Sequence, residues 1–125
     1  MWYRYSMAKR VSLVIVFDGD KVLLGKKPNG FWIPGGHAHT DESSLDAAVR
    51  ELKEETNLDV SELKPFYSKI SEDKIVSVYV CKKYSGNAQA DDDLEEVHWF
   101  SVNELPEMRL DGNKLVQKAY KEICL

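Results

Sequence analysis

Apolar residues run almost unbroken through Val11-Ser12-Leu13-Val14-Ile15-Val16-Phe17, and their β-branched character predicts a buried strand. Asp18-Gly19-Asp20 supplies a hairpin turn, with Lys21 to Gly25 as the return strand. Pro28-Asn29-Gly30 is a second turn. It leads into a short strand, Phe31-Trp32-Ile33, that stops at Pro34-Gly35-Gly36.

The period then changes. From Ser43 to Thr56 apolar residues recur at helical spacing, and Leu45, Ala48, Val49 and Leu52 are expected to form one apolar face. Ser43 is the expected N-cap, with Asp46 at the capping-box position. Asn57 ends the helix, because Asn tolerates the left-handed conformation of many helix ends. Strands are expected over Pro65 to Ile70 and Ile75 to Tyr84, joined by a turn at Ser71-Glu72-Asp73. Ser85 to Asp93 is a polar loop, Leu94 to Ser101 a strand, and Val102 to Leu105 a helical turn. Gly112 to Ile123 is the last helix, with Leu115, Val116, Ala119, Tyr120 and Ile123 on one face. Strands, helix, strands, helix is the wrong order for an all-parallel βαβ fold. A mixed sheet with helices on its faces, an α/β architecture, is the expectation.

Length and charge narrow the function classes. A chain of 125 residues has room for one domain, expected to span residues 1–125. Lys and Arg form no run longer than the pairs Lys26-Lys27 and Lys82-Lys83, and the formal net charge is −4. No basic stripe is available for duplex nucleic acid, which is therefore not expected as a partner. No apolar run reaches the ~20 residues of a membrane span, and the aromatic start of the chain does not resemble a signal peptide. Cys81 and Cys124 fit no metal or redox spacing and read as reduced thiols, in keeping with a cytoplasmic setting.

Acid concentrates in Asp41 to Glu55 and in Asp91 to Glu96. Such clusters form either a solvated face or a divalent-cation site. On a wheel of about 100° per residue, Arg50, Glu51, Glu54 and Glu55 share one arc. Carboxylates at i, i+3 and i+4 repel one another and add nothing to helix stability, whereas a bound cation reverses that sign. Arg50 with Glu54 also reads as an ordinary i, i+4 ion pair. The diglycine Gly35-Gly36 lets backbone approach a ligand or ion closely, and Glu42 stands between it and the helix. A calcium site built on Asp91-Asp92-Asp93 and Glu95-Glu96 finds no support, because no EF-hand spacing is present.

In order, the segment reads Gly36, five residues, Glu42, seven residues, then Arg50-Glu51-Leu52-Lys53-Glu54-Glu55-Thr56-Asn57-Leu58. This resembles the Nudix box at every defining position except the last Gly, which is Asn57 here. Asn is among the commonest non-Gly residues at positive φ, so the helix-ending turn survives the change.

The resemblance implies a mixed-sheet α/β/α sandwich and metal-dependent hydrolysis of a phosphoanhydride in a nucleoside diphosphate derivative. Mg²⁺ is the implied cofactor, with Mn²⁺ as a substitute. Glu54 and Glu55 are the implied principal metal-binding carboxylates. Glu51 is a further ligand or the base that activates water, and the carbonyl of Gly35 completes the metal shell. Arg50 orients a glutamate, with Glu42 in support and Gly36 opening the box. Family members often add a distant carboxylate before a Trp-bearing strand. With Trp99 marking that strand, Asp93 is the implied ligand and Glu96 its substitute.

Lys26 and Lys27 either hold phosphate oxygens or belong to a solvated turn. Trp32, with Phe31, either packs at the edge of the site or stacks on a base. His37 and His39 are expected to be exposed loop residues at the site mouth. The stretch Leu23-Leu24-Gly25-Lys26-Lys27 followed by Trp32 and Pro34-Gly35-Gly36-His37 is similar to nucleotide-pool enzymes acting on NTPs or dNTPs. A nucleotide sugar or ADP-ribose is the alternative substrate, and a non-catalytic nucleotide-binding module the alternative of another class. The resemblance also leaves a homodimer open, since many relatives form one.

Overall fold

The computed structural model describes residues 9–91 and 94–125. Its strands are β1 (Lys9–Asp18), β2 (Lys21–Lys27), β3 (Gly30–Trp32), β4 (Gly35–His37), β5 (Asp59–Ile70), β6 (Lys74–Ser85) and β7 (Glu96–Ser101). Helix α1 (Ser44–Thr56) follows β4, and α2 (Gly112–Ala119) runs into a terminal π-turn over Tyr120–Cys124.

Strand β1 is the axis of the sheet. It pairs in parallel with β6 from Lys9↔Lys74 to Val16↔Cys81. Its other side carries β4 in antiparallel register, Val11↔His37 to Leu13↔Gly35, and then the start of β2 at Phe17↔Val22. β2 continues to β3 and β7, and β5 lies outside β6. A strand buried on both faces is apolar almost throughout, which accounts for Leu13 to Phe17 in β1; the polar exception, Ser12, is fully buried and its hydroxyl donates to Ser44 O at 2.8 Å. Leu13, Ile15 and Phe17 pack with Val116 and Ala119 of α2. Val14 and Val16 point the other way, to Ala48 and Leu52 of α1. The result is an α/β/α sandwich around a mixed sheet, as expected.

Several local expectations are corrected. Leu45 and Val49 are 45% and 40% exposed, while Ala47, Ala48, Leu52, Glu55 and Thr56 are buried. The buried stripe is thus rotated away from the most apolar one. Small side chains at Ala47 and Ala48 let the helix sit close on the sheet, and the rotation carries a carboxylate inward. Pro34-Gly35-Gly36 does not simply end a strand, since Gly35 and Gly36 begin β4. β5 starts six residues before the apolar pattern at Pro65 announces it. Register shifts between Val60 and Tyr67 break its alternation, as bulges do on outer strands. Val102 to Leu105 is a turn closed by Glu104 N–H to Ser101 O at 3.0 Å, not a helical segment. β7 begins at Glu96 rather than Leu94. The last helix is α-helical only to Ala119. No described helix is long and apolar enough to cross a membrane.

The rotation of α1 gives a direct contrast. Leu52→Ala empties a fully buried site and is expected to lower unfolding free energy by ~2–5 kcal/mol. Val49→Ala, at a partly exposed site, should cost under about 1 kcal/mol. Urea unfolding of the two variants checks this, and equal losses would contradict the observed rotation.

Candidate active site

Helix α1 is fixed at both ends by its own sequence. The Ser43 hydroxyl accepts the Asp46 amide at 3.0 Å, and Asn57 takes the left-handed cap at φ 66° while its N–H closes on Lys53 O. The cap that the box usually assigns to Gly is therefore met by Asn.

Along the helix the charged residues take different environments. Arg50 is the hub. Its Nε and Nη2 clasp both oxygens of Glu42 at 2.7 and 2.9 Å. Nη1 donates to Glu51 at 3.1 Å and Glu54 at 3.0 Å, and Nη2 also donates to His37 O at 3.1 Å. Glu42 accepts a further bond from the His39 amide at 2.9 Å. The Arg50 hydrogen bond first, and this amide second, hold the Glu42 carboxyl down at about 2. The reciprocal bond from Glu42 raises the Arg50 pKa above its ordinary value.

The three helical glutamates form a gradient of exposure. The Glu54 side chain is 45% exposed and Glu51 13%. Glu55 is 1% exposed. A buried carboxylate needs hydrogen-bonding partners. Glu55 receives the Gly35 amide at 2.8 Å and has the Lys27 ammonium at 3.8 Å. Gly35 is required by this packing, and Gly36 leaves room for the Glu51 carboxylate. Gly35 sits at φ 149°, where a Cβ would come within 2.0 Å of Ser12 O. At Gly36 a Cβ would lie 2.5 Å from the Glu51 carboxylate.

Among the described residues, no three His, Cys, Asp or Glu side chains already close into a metal cage. The donor set nevertheless fits a hard divalent cation, being all oxygen. The space before Glu51 is kept clear by the missing Gly36 side chain. Three carboxylates share the single Arg50 guanidinium.

Not every residue singled out in the sequence joins this group. Lys27 faces α1, but Lys26 pairs instead with Glu96 at 3.6 Å, and Glu96 also meets His98 Nε2 at 2.6 Å. Val97 and Trp99 pack on the α1 side of the sheet, so alternation turns Glu96 and His98 to the α2 side. His98 there lies edge-on to Phe31 and Phe100. Glu96 is thus not brought to the helical glutamates, and Asp93 lies outside the described residues. The His37 carbonyl accepts from Arg50 and the His39 amide donates to Glu42, whose carboxylate also has the His39 Nδ1 at 4.0 Å. Trp32 also lies on the α2 side, against Gly112, where a Cβ would be 2.9 Å from its ring.

Trp32 belongs to a feature that sequence reasoning missed. A cleft of about 720 Å³ opens between β1, β5, β6 and α2, with Val11, Leu13, Trp32 and Tyr67 in its walls. Its size suits a small-molecule ligand. Val11 and Leu13 pair with His37 and Gly35, so the strand that lines the cleft is hydrogen-bonded to the one whose glycines meet Glu51 and Glu55. The cleft's walls come from four distant stretches of chain, which no local pattern connects.

Glu42 gives a pH signature. Its folded pKa, about 2, lies below the ordinary 4.5, so its contribution to stability is complete above pH 4.5. That contribution is lost as pH falls toward 2. Unfolding measured between those values should show a flatter pH dependence in Glu42→Gln than in the parent chain. An unchanged slope would contradict the clasp.

Comparison with known proteins gives a consistent result. The model of the NUDIX domain matches residues 7–121. The chain is 32% identical over 127 aligned positions to a protein of Methanocaldococcus jannaschii named ADP-ribose pyrophosphatase, covering 92% of this chain and 75% of that one. It is 32% identical over 110 positions to a Danio rerio protein named oxidized purine nucleoside triphosphate hydrolase, covering 79% and 70%. Among solved structures, a MutT NUDIX hydrolase from Burkholderia pseudomallei superposes with a TM-score of 0.77 at 19% identity, covering 89% of this chain and 96% of that one. At that identity the likeness speaks to the fold.

Proposed function

The chain belongs to the NUDIX domain family of pyrophosphohydrolases acting on nucleoside diphosphate derivatives, and from that premise we propose that its substrate is a nucleoside 5′-triphosphate or its deoxy form. The observation that carries this reading is the pairing of two compartments through adjacent strands. Glu51 and Glu55 lie against the glycines of β4, and a cleft with Trp32 and Tyr67 is lined by β1, the strand that β4 pairs with. A nucleoside seated in the cleft would pass its phosphate chain over Gly35-Gly36, where no side chain obstructs it.

Family members generally need a divalent cation. Glu51, Glu54, Glu55 and the Gly35 carbonyl would hold Mg²⁺, with Mn²⁺ as a substitute and Asp93 as the proposed distal ligand. Bound there, such an ion would neutralise phosphoryl oxygens and lower the pKa of a water. The protein's own groups supply the rest. Arg50, anchored by Glu42, orients Glu51 and Glu54. A Glu51 oxygen takes the proton as water attacks phosphorus. The α–β phosphoanhydride P–O bond breaks, and the bridging oxygen departs with the bond's electron pair, yielding a nucleoside monophosphate and pyrophosphate. Lys27, beside Glu55, binds a phosphate oxygen as a point charge. Lys26 is turned away from the glutamates, toward Glu96.

An ADP-ribose or nucleotide-sugar substrate is the second reading, favoured by the name of the 32%-identical archaeal relative. A non-catalytic module fits less well, because every helical carboxylate of the box is present.

Incubation with NTPs, dNTPs, ADP-ribose and nucleotide sugars, with Mg²⁺ or with EDTA, separates these readings by the products released. Turnover is expected with NTPs and Mg²⁺ and absent with EDTA. Glu54→Gln should lower it by roughly 10²-fold or more, the scale on which single electrostatic groups act at a reacting centre. Its far-ultraviolet circular dichroism should be unchanged. A fully active Glu54→Gln protein would remove that residue from the mechanism, and turnover of ADP-ribose alone would overturn the triphosphate reading.

A further inference from the structure

The walls of the α2-side cleft carry far more positive charge than a neutral nucleoside requires. Lys69 on β5, Lys74 at the start of β6, Arg109 before α2, and Lys114 and Lys118 on α2 all line it, against one carboxylate, Asp111. None of the five cations makes an ion pair or side-chain hydrogen bond among the described residues. The chain as a whole is acidic, with a formal charge of −4, so this clustering runs against its overall balance. Lys114 and Lys118 stand at i, i+4 on one helix, where like charges repel. An anion between them would reverse that interaction.

A second observation points to the same place. Leu110 and Asp111 both hold positive φ, 51° and 59°, in succession at the cleft mouth. A bulky side chain rarely adopts that conformation, and such strain gathers at ligand clamps when the surroundings enforce it. Here the surroundings do so. Met108 bridges to Phe31, Asn113 Nδ2 donates to Pro106 O at 2.9 Å, and Gly112 packs on Trp32 with no room for a Cβ. The strained turn directly follows Arg109, which lines the cleft together with Lys69 and Lys74.

We propose that this cleft takes a nucleoside bearing its own phosphate, so that the preferred substrate is a nucleoside 5′-polyphosphate with a further phosphate on the ribose. The inference rests on the proposed seating of the nucleoside in the cleft, with the scissile linkage at the glutamates. It adds that the far end of the substrate is recognised by charge, through Lys114, Lys118 and Arg109, as well as by the aromatic walls.

The test uses ligands that share a 5′ group and differ only at the ribose. Titration calorimetry compares AMP with adenosine 2′,5′- and 3′,5′-bisphosphate, without turnover. Kinetics compare GTP with guanosine 5′-triphosphate 3′-diphosphate. At least one bisphosphate is expected to bind about tenfold or more tightly than AMP, the gain of one charge-assisted contact. That gain should shrink as salt rises and collapse in the Lys114→Gln/Lys118→Gln double variant. Lys114→Glu/Lys118→Glu should reverse the preference. Equal affinity for AMP and both bisphosphates, or a preference that survives in both double variants, would overturn the proposal. If GTP is turned over and its 3′-diphosphate is not preferred, this inference fails and the triphosphate reading stands. If bisphosphates bind selectively while no triphosphate is hydrolysed, the cleft's charge preference is supported and the triphosphate reading fails.

Discussion

A single hydrogen bond, from the Gly35 amide to the carboxylate of Glu55, sets the geometry on which the rest of the molecule depends. Glu55 is almost wholly buried, and a charge in that position is tolerable only with donors in place. The amide comes from β4, an irregular strand of three residues, and Lys27 adds its charge from the end of β2. Meeting both donors fixes the rotation of α1 about its axis. With Glu55 turned inward, Glu51 faces Gly36, Glu54 reaches water, and Leu45 and Val49 are left outside the core. The same bond demands glycine at Gly35, because the backbone that aims this amide brings any Cβ into Ser12 O.

Arg50 sets the charge of the patch. Its guanidinium touches Glu42, Glu51 and Glu54. One positive group among three carboxylates leaves two formal negative charges. That residue of charge costs the folded protein something by repulsion, and it matches one divalent cation. Glu42 takes the bidentate face of the guanidinium, the strongest geometry available to it. Glu51 and Glu54 share the remaining Nη1. The weaker, shared contacts therefore fall on the carboxylates that would have to turn toward an ion, and the stronger ones on the residue that only has to hold Arg50 still.

Legibility from sequence followed the range of the interactions. The α1 caps, the β1–β2 hairpin and the glutamate stripe were readable because each depends on residues within a few positions. The box spacing was readable as a pattern, although spacing says nothing of which carboxylate is buried. The apolar face of α1 was misassigned because Leu45 and Val49 outweigh Ala47 and Ala48 in hydrophobicity, while the rotation is decided by a polar contact across 20 residues. Lys26 and Lys27 read alike in sequence, yet strand alternation sends them to opposite faces. The cations of the cleft were unreadable for a stronger reason. They come from β5, β6, the turn before α2 and α2 itself, and each alone looks like an ordinary solvated lysine or arginine.

The division of the molecule by its sheet also explains how one scaffold can hold a fixed chemistry beside a variable selectivity. On the α1 side every contact is constrained by another: Gly35 by Glu55, Gly36 by Glu51, Glu42 by Arg50. A substitution at Gly35, Glu42 or Arg50 disturbs at least two partners. On the α2 side the charged ends of the five cations make no ion pair among the described residues, so each charge can change without breaking one. Only the Leu110-Asp111 turn and Gly112 are bound there by packing. Charge on that wall can therefore be reset residue by residue while the glutamate patch stays intact, which makes the wall the physical place for substrate choice to be written.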